Sequence, residues 1–279
     1  MSELAERHRR FAGMHDAGYF VIPNPWDMGS ARMMAALGAK ALATTSSGYS
    51  FTLGRPDMGS VTRDEALTHA EQIVAATPLP VSGDFENGFA DAPDEVAETV
   101  RLAREAGLSG CSIEDTQMIE GNAPYDFDLA VDRIAAAVDA ARSLAEPFVL
   151  CARADGVMNG HYDTDEAIRR IQAFEKAGAD LLYVPLVPDI DALKRVVASV
   201  AKPVNALATG AVAKLTVPEI SLIGVRRISV GGMIARLTHA AIRDAMRDII
   251  FDGSFAGFSG AMDGGTVNAL LEKGSGKKV

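Results

Sequence analysis

Acidic side chains at the ends of short apolar runs are the first residues in this chain whose type and spacing point to chemistry. The run Pro80 to Phe85 leads into Asp84-Phe85-Glu86-Asn87-Gly88, and the run Gly110 to Glu114 ends on Glu114-Asp115. In a β-strand, side chains two apart share a face, so Asp84 and Glu86 are expected side by side, with Glu114 ending the adjacent strand. Three unpaired carboxylates repel one another. A hard divalent cation, Mg2+ or alternatively Mn2+, removes that repulsion and keeps coordination sites for waters and substrate oxygens. Taken singly, each acid is as readily a helix cap or an ion-pair partner; the convergence of three favours a metal site. Asp115 reads as a cap rather than a ligand. Asp84 itself is expected to contribute little to folding stability, because like-charged acids in an open mouth gain little from one another.

Other polar residues end other runs. Ala41 to Thr45 leads into Ser46-Ser47-Gly48-Tyr49, where hydroxyls and backbone N–H groups can hold a carboxylate or phosphate oxygen. Phe148 to Arg153 ends on a guanidinium suited to bidentate contact with an anionic substrate; the bland alternative is an ion pair with Glu114, Asp115 or Asp155. Asn205 lies in the run Val204 to Ala208. The five histidines show no metal-ligand spacing, and only His161, in a loop after Arg153, is placed to approach these residues. Cys111 and Cys151 fall inside apolar runs, as small hydrophobes do, and make neither a disulfide framework nor a thiolate zinc site.

An (β/α)8 barrel would bring these ends together. Eight strand candidates, the five segments already named, 41–45, 80–85, 110–114, 148–153 and 204–208, together with Phe20 to Pro23, Leu181 to Pro185 and Arg227 to Val230, alternate with amphipathic stretches. Each is short and apolar on both faces, as parallel strands covered by helices must be. Thr62 with Glu65 forms a capping box, and Pro93 sits in the first turn of a helix. Gly38, Gly107 and Gly178 each end a helix just before a strand and stand 69 and 71 residues apart. Two strand–helix units per interval give about 35 residues per unit, and the chain then holds about eight, the number in a TIM barrel. The rival, a doubly wound sheet, lacks any Gly-x-Gly-x-x-Gly or Gly-x-x-x-x-Gly-Lys. Residues 1–279 are therefore expected to form one barrel domain, with 234–279 a helical extension and tail. Residues 116–126, long for a strand–helix loop, are the lid candidate.

The chain has 279 residues, 48% hydrophobic and 23% charged, with a formal net charge of -10, so nucleic acid is not an expected partner. Neither an apolar leader nor a run of about 18 apolar residues is present, and two cysteines suit a reducing compartment, so a cytoplasmic enzyme without membrane contact is expected.

Five segments in order, Thr45-Ser46-Ser47-Gly48, Leu53-Gly54-Arg55-Pro56-Asp57-Met58-Gly59, Gly83-Asp84-Phe85-Glu86-Asn87-Gly88-Phe89, Ser112-Ile113-Glu114-Asp115 and Ala152-Arg153-Ala154-Asp155, resemble the isocitrate lyase and phosphoenolpyruvate mutase superfamily. The resemblance runs from about Val21 to Gly232. It implies an α/β barrel whose eighth helix, within Ile234 to Phe258, is exchanged between subunits of a homo-oligomer, a dimer or tetramer. It implies Mg2+ held by Asp84 and Glu86 with Asp57 and Glu114, a substrate carboxylate on Thr45, Ser47 and Gly48, and Arg153 and Asn205 as further anion contacts. Departures from the family pattern are equally informative. The Lys-Lys-Cys-Gly-His lid of the isocitrate lyases is replaced by Thr116-Gln117-Met118-Ile119-Glu120-Gly121-Asn122. The lid lysine of the phosphonomutase branch is missing, with Glu120 near its place, while Asn122 matches that branch's lid asparagine. Leu186 stands where methylisocitrate lyases carry a glutamate.

The expected activity is therefore Mg2+-dependent carbon–carbon cleavage or decarboxylation of a small 2-oxo or 2-hydroxy (di)carboxylic acid through an enolate, with Arg153, Glu114 and Asn122 as the catalytic group. Two rivals stay open: a phosphoenolpyruvate mutase or phosphonopyruvate-cleaving enzyme, and a catalytically silent carboxylate-binding protein.

Overall fold

The computed structural model of the protein describes residues 2–118 and 121–276. Eight strands form one all-parallel sheet: β1 (Phe20–Ile22), β2 (Leu42–Ala43), β3 (Val81–Asp84), β4 (Gly110–Glu114), β5 (Val149–Arg153), β6 (Leu181–Tyr183), β7 (Val204–Leu207) and β8 (Arg227–Ser229). Their spatial order, β1-β8-β7-β6-β5-β4-β3-β2, makes a nearly closed (β/α)8 barrel, as the repeat spacing predicts. All eight strands fall within the segments read from the sequence. The seam between β1 and β2 carries a single backbone bond, Ala43 N–H to the Pro23 carbonyl at 3.1 Å. Asn24 supplements it: its amide donates to the Thr44 carbonyl, and its oxygen accepts the N–H groups of Val230 and Gly231.

The helices are α1 (Glu3–Gly13), α2 (Met28–Ala36), α3 (Ser46–Thr52), α4 (Arg63–Ala76), α5 (Pro93–Glu105), α6 (Phe127–Arg142), α7 (Thr164–Lys176), α8 (Ile190–Ala198), α9 (Val217–Leu222), α10 (Met233–Asp252) and α11 (Gly264–Gly274). Local chemistry sets their ends. Thr62 and Glu65 form the capping box of α4, and Pro93 opens α5 where no N–H is needed. Gly38, Gly107 and Gly178 take φ of 101°, 86° and 103°, left-handed values that let the chain turn from helix into strand without a Cβ clash. One core lies between strands and helices. A second fills the barrel, where Phe11 of α1 plugs the end opposite the carboxylates against Phe20, Ala41 and Leu181.

Register places the polar residues. Successive parallel pairs align Asp84 with Ser112, then Glu114 with Arg153, Arg153 with Tyr183, Tyr183 with Asn205, and Asn205 with Arg227. Paired positions on neighbouring strands face the same way, so this row winds through the barrel interior. At the C-terminal end α11 packs on α2, while α10 leaves the barrel: Ala235 is its only buried residue, and Leu237, Ile242, Ile250 and Phe251 are exposed.

Candidate active site

A cavity of about 150 Å3 opens at the C-terminal ends of the strands, and Thr45, Ser47, Asp57, Asp84, Glu114 and Arg153 all line it. Arg153 is its electrostatic centre. Asp155 grips one edge of the guanidinium through two bonds, 2.7 and 3.2 Å. Nη1 then reaches Asp84 Oδ1 and Glu114 Oε1, each at 2.8 Å, and the Tyr183 ring lies 5.1 Å from the guanidinium carbon. One cation thus faces three acids. Burial, aided by Asp155, Asp84 and Glu86, pushes the Glu114 carboxyl well above its usual range despite the pull of Arg153. Burial also raises Asp155 to about 6, against the pull of Arg153.

Asp84 is a connector rather than an isolated ligand. Its Oδ2 accepts the Ser46 N–H at 2.9 Å and the Ser46 hydroxyl at 3.0 Å, and its Oδ1 accepts Ser112 at 3.3 Å besides Arg153. These bonds correct the expectation that Asp84 contributes little to stability.

Glu86 departs from the strand-alternation argument. β3 ends at Asp84 and Glu86 takes φ of 44°, so the two do not continue one pleat. Glu86 sits in an adjoining recess and accepts the Gly59 N–H at 3.2 Å, tying β3 to the loop that carries Asp57. Burial raises its carboxyl to about 7 and raises that of Asp57 as well.

Three other sequence candidates lie off the cavity wall. Ser46 to Gly48 form the first turn of α3, and the Gly48 N–H is taken by Thr45 Oγ1, the helix cap, at 3.2 Å. Gly48 serves packing: a Cβ there would stand 2.6 Å from Thr45 Cγ2. Ser47 and Thr45 keep their hydroxyls at the cavity, 3.1 Å apart. Asn205 is buried behind the wall, where it accepts Arg227 Nε and donates to Ser229 Oγ. Asn122, with φ of 48°, stays in the loop after β4 and does not line the cavity. That loop is tied back on itself by a Thr116–Pro124 bridge and by Gln117 N–H to Ala123 at 2.8 Å, and His161 Nε2 lies 2.6 Å from the Gly121 carbonyl. Ile119 and Glu120 lie outside the described residues. Asp115 binds Tyr162, Arg170 and the Asp155 N–H, which makes it a structural anchor beneath Arg153's partner.

Ser112, Tyr183, Arg227 and Ser229 also line the cavity, and sequence reasoning passed over them. For three of them the signal was the period of two and the register: Ser112 lies two residues before Glu114, Tyr183 pairs with Arg153 and Arg227 with Asn205, whereas Ser229 pairs only with the apolar Ile22 and Leu207.

A sequence profile described as phosphoenolpyruvate phosphomutase matches residues 11–250. The chain belongs to the phosphoenolpyruvate mutase/isocitrate lyase superfamily. It is an enzyme of this lyase and mutase group. A protein of uncharacterized function from Mycobacterium tuberculosis is 35% identical over 227 residues, 80% of this chain and 82% of that one. The 2,3-dimethylmalate lyase of Eubacterium barkeri is 32% identical over 183 residues, 63% of this chain and 62% of its own. Among solved structures, a lyase/mutase candidate from Burkholderia cenocepacia J2315 is 44% identical, covers 96% of each chain and superposes with a TM-score of 0.92.

For a superfamily member the mouth must also be tested as a metal site. Among the described residues no three His, Cys, Asp or Glu side chains stand together in ligating arrangement; Arg153 Nη1 occupies the place between Asp84 and Glu114. The donor chemistry nevertheless fits a hard cation. Glu86 Oε2 and Glu114 Oε2 are buried without a hydrogen-bond partner, and Asp57 and Asp84 face the cavity. Mg2+ characteristically needs only one or two carboxylates and completes its shell with water, so this set suffices without a three-acid cluster.

Proposed function

We propose that the protein is a Mg2+-dependent carbon–carbon lyase or decarboxylase acting on a small 2-oxo or 2-hydroxy (di)carboxylic acid through an enolate. The observation that carries this reading is the excess of acids at the mouth: Arg153 serves three buried or half-buried acids, Asp57 and Glu86 add two more, and Arg227 on the β8 wall is the second cation against these five. Such a site recruits a cation and, once neutralised, an anionic substrate.

Asp57 and Asp84 would hold the metal, with Glu86 and Glu114 behind them taking its waters. Bound Mg2+ supplies positive charge to the oxygen that becomes negative as the bond beyond C3 breaks. The chain's own residues do the rest. Asp155, Asp84 and Glu114 fix Arg153 at the cavity wall, where its guanidinium is a preorganised positive charge facing the substrate carboxylate or enolate oxygen. Ser47 and Thr45 place hydroxyls for the other carboxylate oxygen. Glu114, its carboxyl pushed well up by burial, lines the cavity and is the acid placed to exchange a proton with the substrate. Asn122 would join this set only when the loop after β4 folds over the mouth. The missing lid lysine favours carbon–carbon over phosphoryl chemistry.

The exposed apolar face of α10 is covered by a second copy of the chain in this reading, consistent with helix exchange. Among the described residues no helix is long and apolar enough to cross a membrane; a cytoplasmic location remains the proposal.

Proton and phosphorus NMR of the protein with Mg2+ and a pool of oxaloacetate, 2,3-dimethylmalate, methylisocitrate and phosphonopyruvate, repeated with EDTA, tests the assignment. Mg2+-dependent loss of a carbon acid is the expected result. Loss of phosphonopyruvate alone would replace the lyase by the phosphono activity, and an unchanged pool would favour a binding protein.

A further inference from the structure

Among the described residues Arg227 is a buried cation without an acid. It is 5% exposed, on β8, in register with Asn205 and Phe20, and it faces the barrel interior beside the Cys151 thiol. Asn205 Oδ1 accepts its Nε at 2.8 Å, and Asn205 is itself held by donating to Ser229 Oγ at 2.9 Å, so the guanidinium is oriented from behind. It forms no ion pair with any carboxylate among the described residues, and its Nη1 is the one terminal guanidinium nitrogen among them that is buried with no partner. The contrast with other buried arginines is clear: Arg153 has three acids, Arg170 has Asp115 and Glu166, and both terminal nitrogens of Arg133 reach backbone carbonyls. An unpaired buried charge is costly, and a fold that keeps one gains from an anion that arrives later.

The cavity shows where that anion would come from. Arg227 and Ser229 line its wall on β8, while Asp57, Asp84 and Glu114 line the β2 to β4 side, so the interior is negative on one side and positive on the other. With one carboxylate of a small acid held by Ser47 and Arg153, the β8 wall carries the remaining positive group of the cavity for a second anionic end.

We infer that Arg227, oriented by Asn205 and flanked by Ser229, receives the distal carboxylate of the substrate, which is therefore a dicarboxylate. The assignment rests on the proposed function and adds to it the second anionic group. Arg227 is a specificity-determining residue: it takes no part in bond breaking and reads the length and charge of the acid.

Calorimetric titration of the Mg2+-loaded protein with oxalate, racemic lactate and racemic malate tests this, because lactate and malate differ by the distal carboxylate. Wild type is expected to bind malate at least about 10-fold tighter than lactate. Arg227→Met is expected to weaken malate by about 30-fold or more while oxalate and lactate change less than about twofold and the melting temperature does not fall. Arg227→Lys, which keeps the charge but not the fork, should retain part of the preference for malate and guards against a Met variant that fails to fold. Equal weakening of all three ligands, a melting temperature that falls together with oxalate binding, or an undiminished preference for malate would each overturn the role of Arg227. Failure of wild type to bind oxalate would overturn the proposed function and this inference with it; oxalate binding without discrimination between malate and lactate would overturn the inference alone.

Discussion

Replacing Asp84 by Ala probes the mouth of the barrel most directly, because the side chain has both a structural and a chemical role. Its carboxylate is 18% exposed, accepts from Ser46 twice and from Ser112, and pairs with Arg153 at 2.8 Å. A hydrogen bond to a charged group contributes about 1.5–3 kcal/mol, but water can re-satisfy the partly exposed Ser46 hydroxyl and Arg153 keeps Glu114 and Asp155. Removing one negative charge also relieves repulsion on Glu114, Glu86 and Asp57. The orphaned Ser46 N–H and the weakened ion pair leave a net loss of about 2–3 kcal/mol. At about 2–4 °C per kcal/mol for a chain of this size, the melting temperature in EDTA should fall by about 5–10 °C. Asp84→Asn, which keeps an acceptor for Ser46, should lose about half as much. Both variants should lose Mg2+ binding by calorimetry and turnover by NMR. An Asp84→Ala protein with unchanged melting temperature would refute the structural argument, and one with normal turnover would refute the metal-assisted mechanism.

Other expectations follow from the same geometry. Burial raises Glu86 from 4.5 to about 7, so the folded state holds a proton that the unfolded chain releases in that interval; the associated stability is present below about pH 4.5 and lost as pH rises through about 7, by up to about 3 kcal/mol. Urea denaturation in EDTA should therefore show a weaker protein at about pH 8 than at about pH 5, a difference that Glu86→Gln flattens; an identical slope in the variant would assign the effect elsewhere. Arg133 is fully buried, donates to the carbonyls of Glu114, Asn87 and Ala90 and lies 3.8 Å from the Tyr125 ring centre. Arg133→Met should cost more than about 3 kcal/mol in a denaturant melt, since it strands buried carbonyls behind the acids. Ile242→Glu with Ile250→Glu, on the exposed face of α10, should shift light scattering toward the monomer with the barrel's far-UV spectrum intact; an unchanged mass would place the subunit contact elsewhere.

Much of the architecture was legible because its signals are local. Two-faced apolar strands, a capping box at Thr62, proline at position 93 and left-handed glycines each act within a few residues, and all recur in the structure. The convergence of Asp84, Glu114 and Arg153 was legible too, since the C-terminal ends of barrel strands must meet at one mouth. Glu86 escaped because alternation holds only inside a strand, and β3 stops two residues earlier. Gly48 escaped because the turn after β2 continues into a helix whose cap consumes its N–H.

The sequence by itself determined the number and order of strand–helix units and the kinds of groups at the mouth, because hydrophobic period, caps and residue type are properties of short segments. Tertiary structure alone decided which acid Arg153 grips from one edge and which it reaches across the cavity, that Asp84 ties α3 to the barrel, and that Arg227 ends with no acid beside it among the described residues. Those outcomes depend on strand register and on competition for one guanidinium among carboxylates 2 to 69 residues away along the chain, and no local rule encodes who wins such a competition.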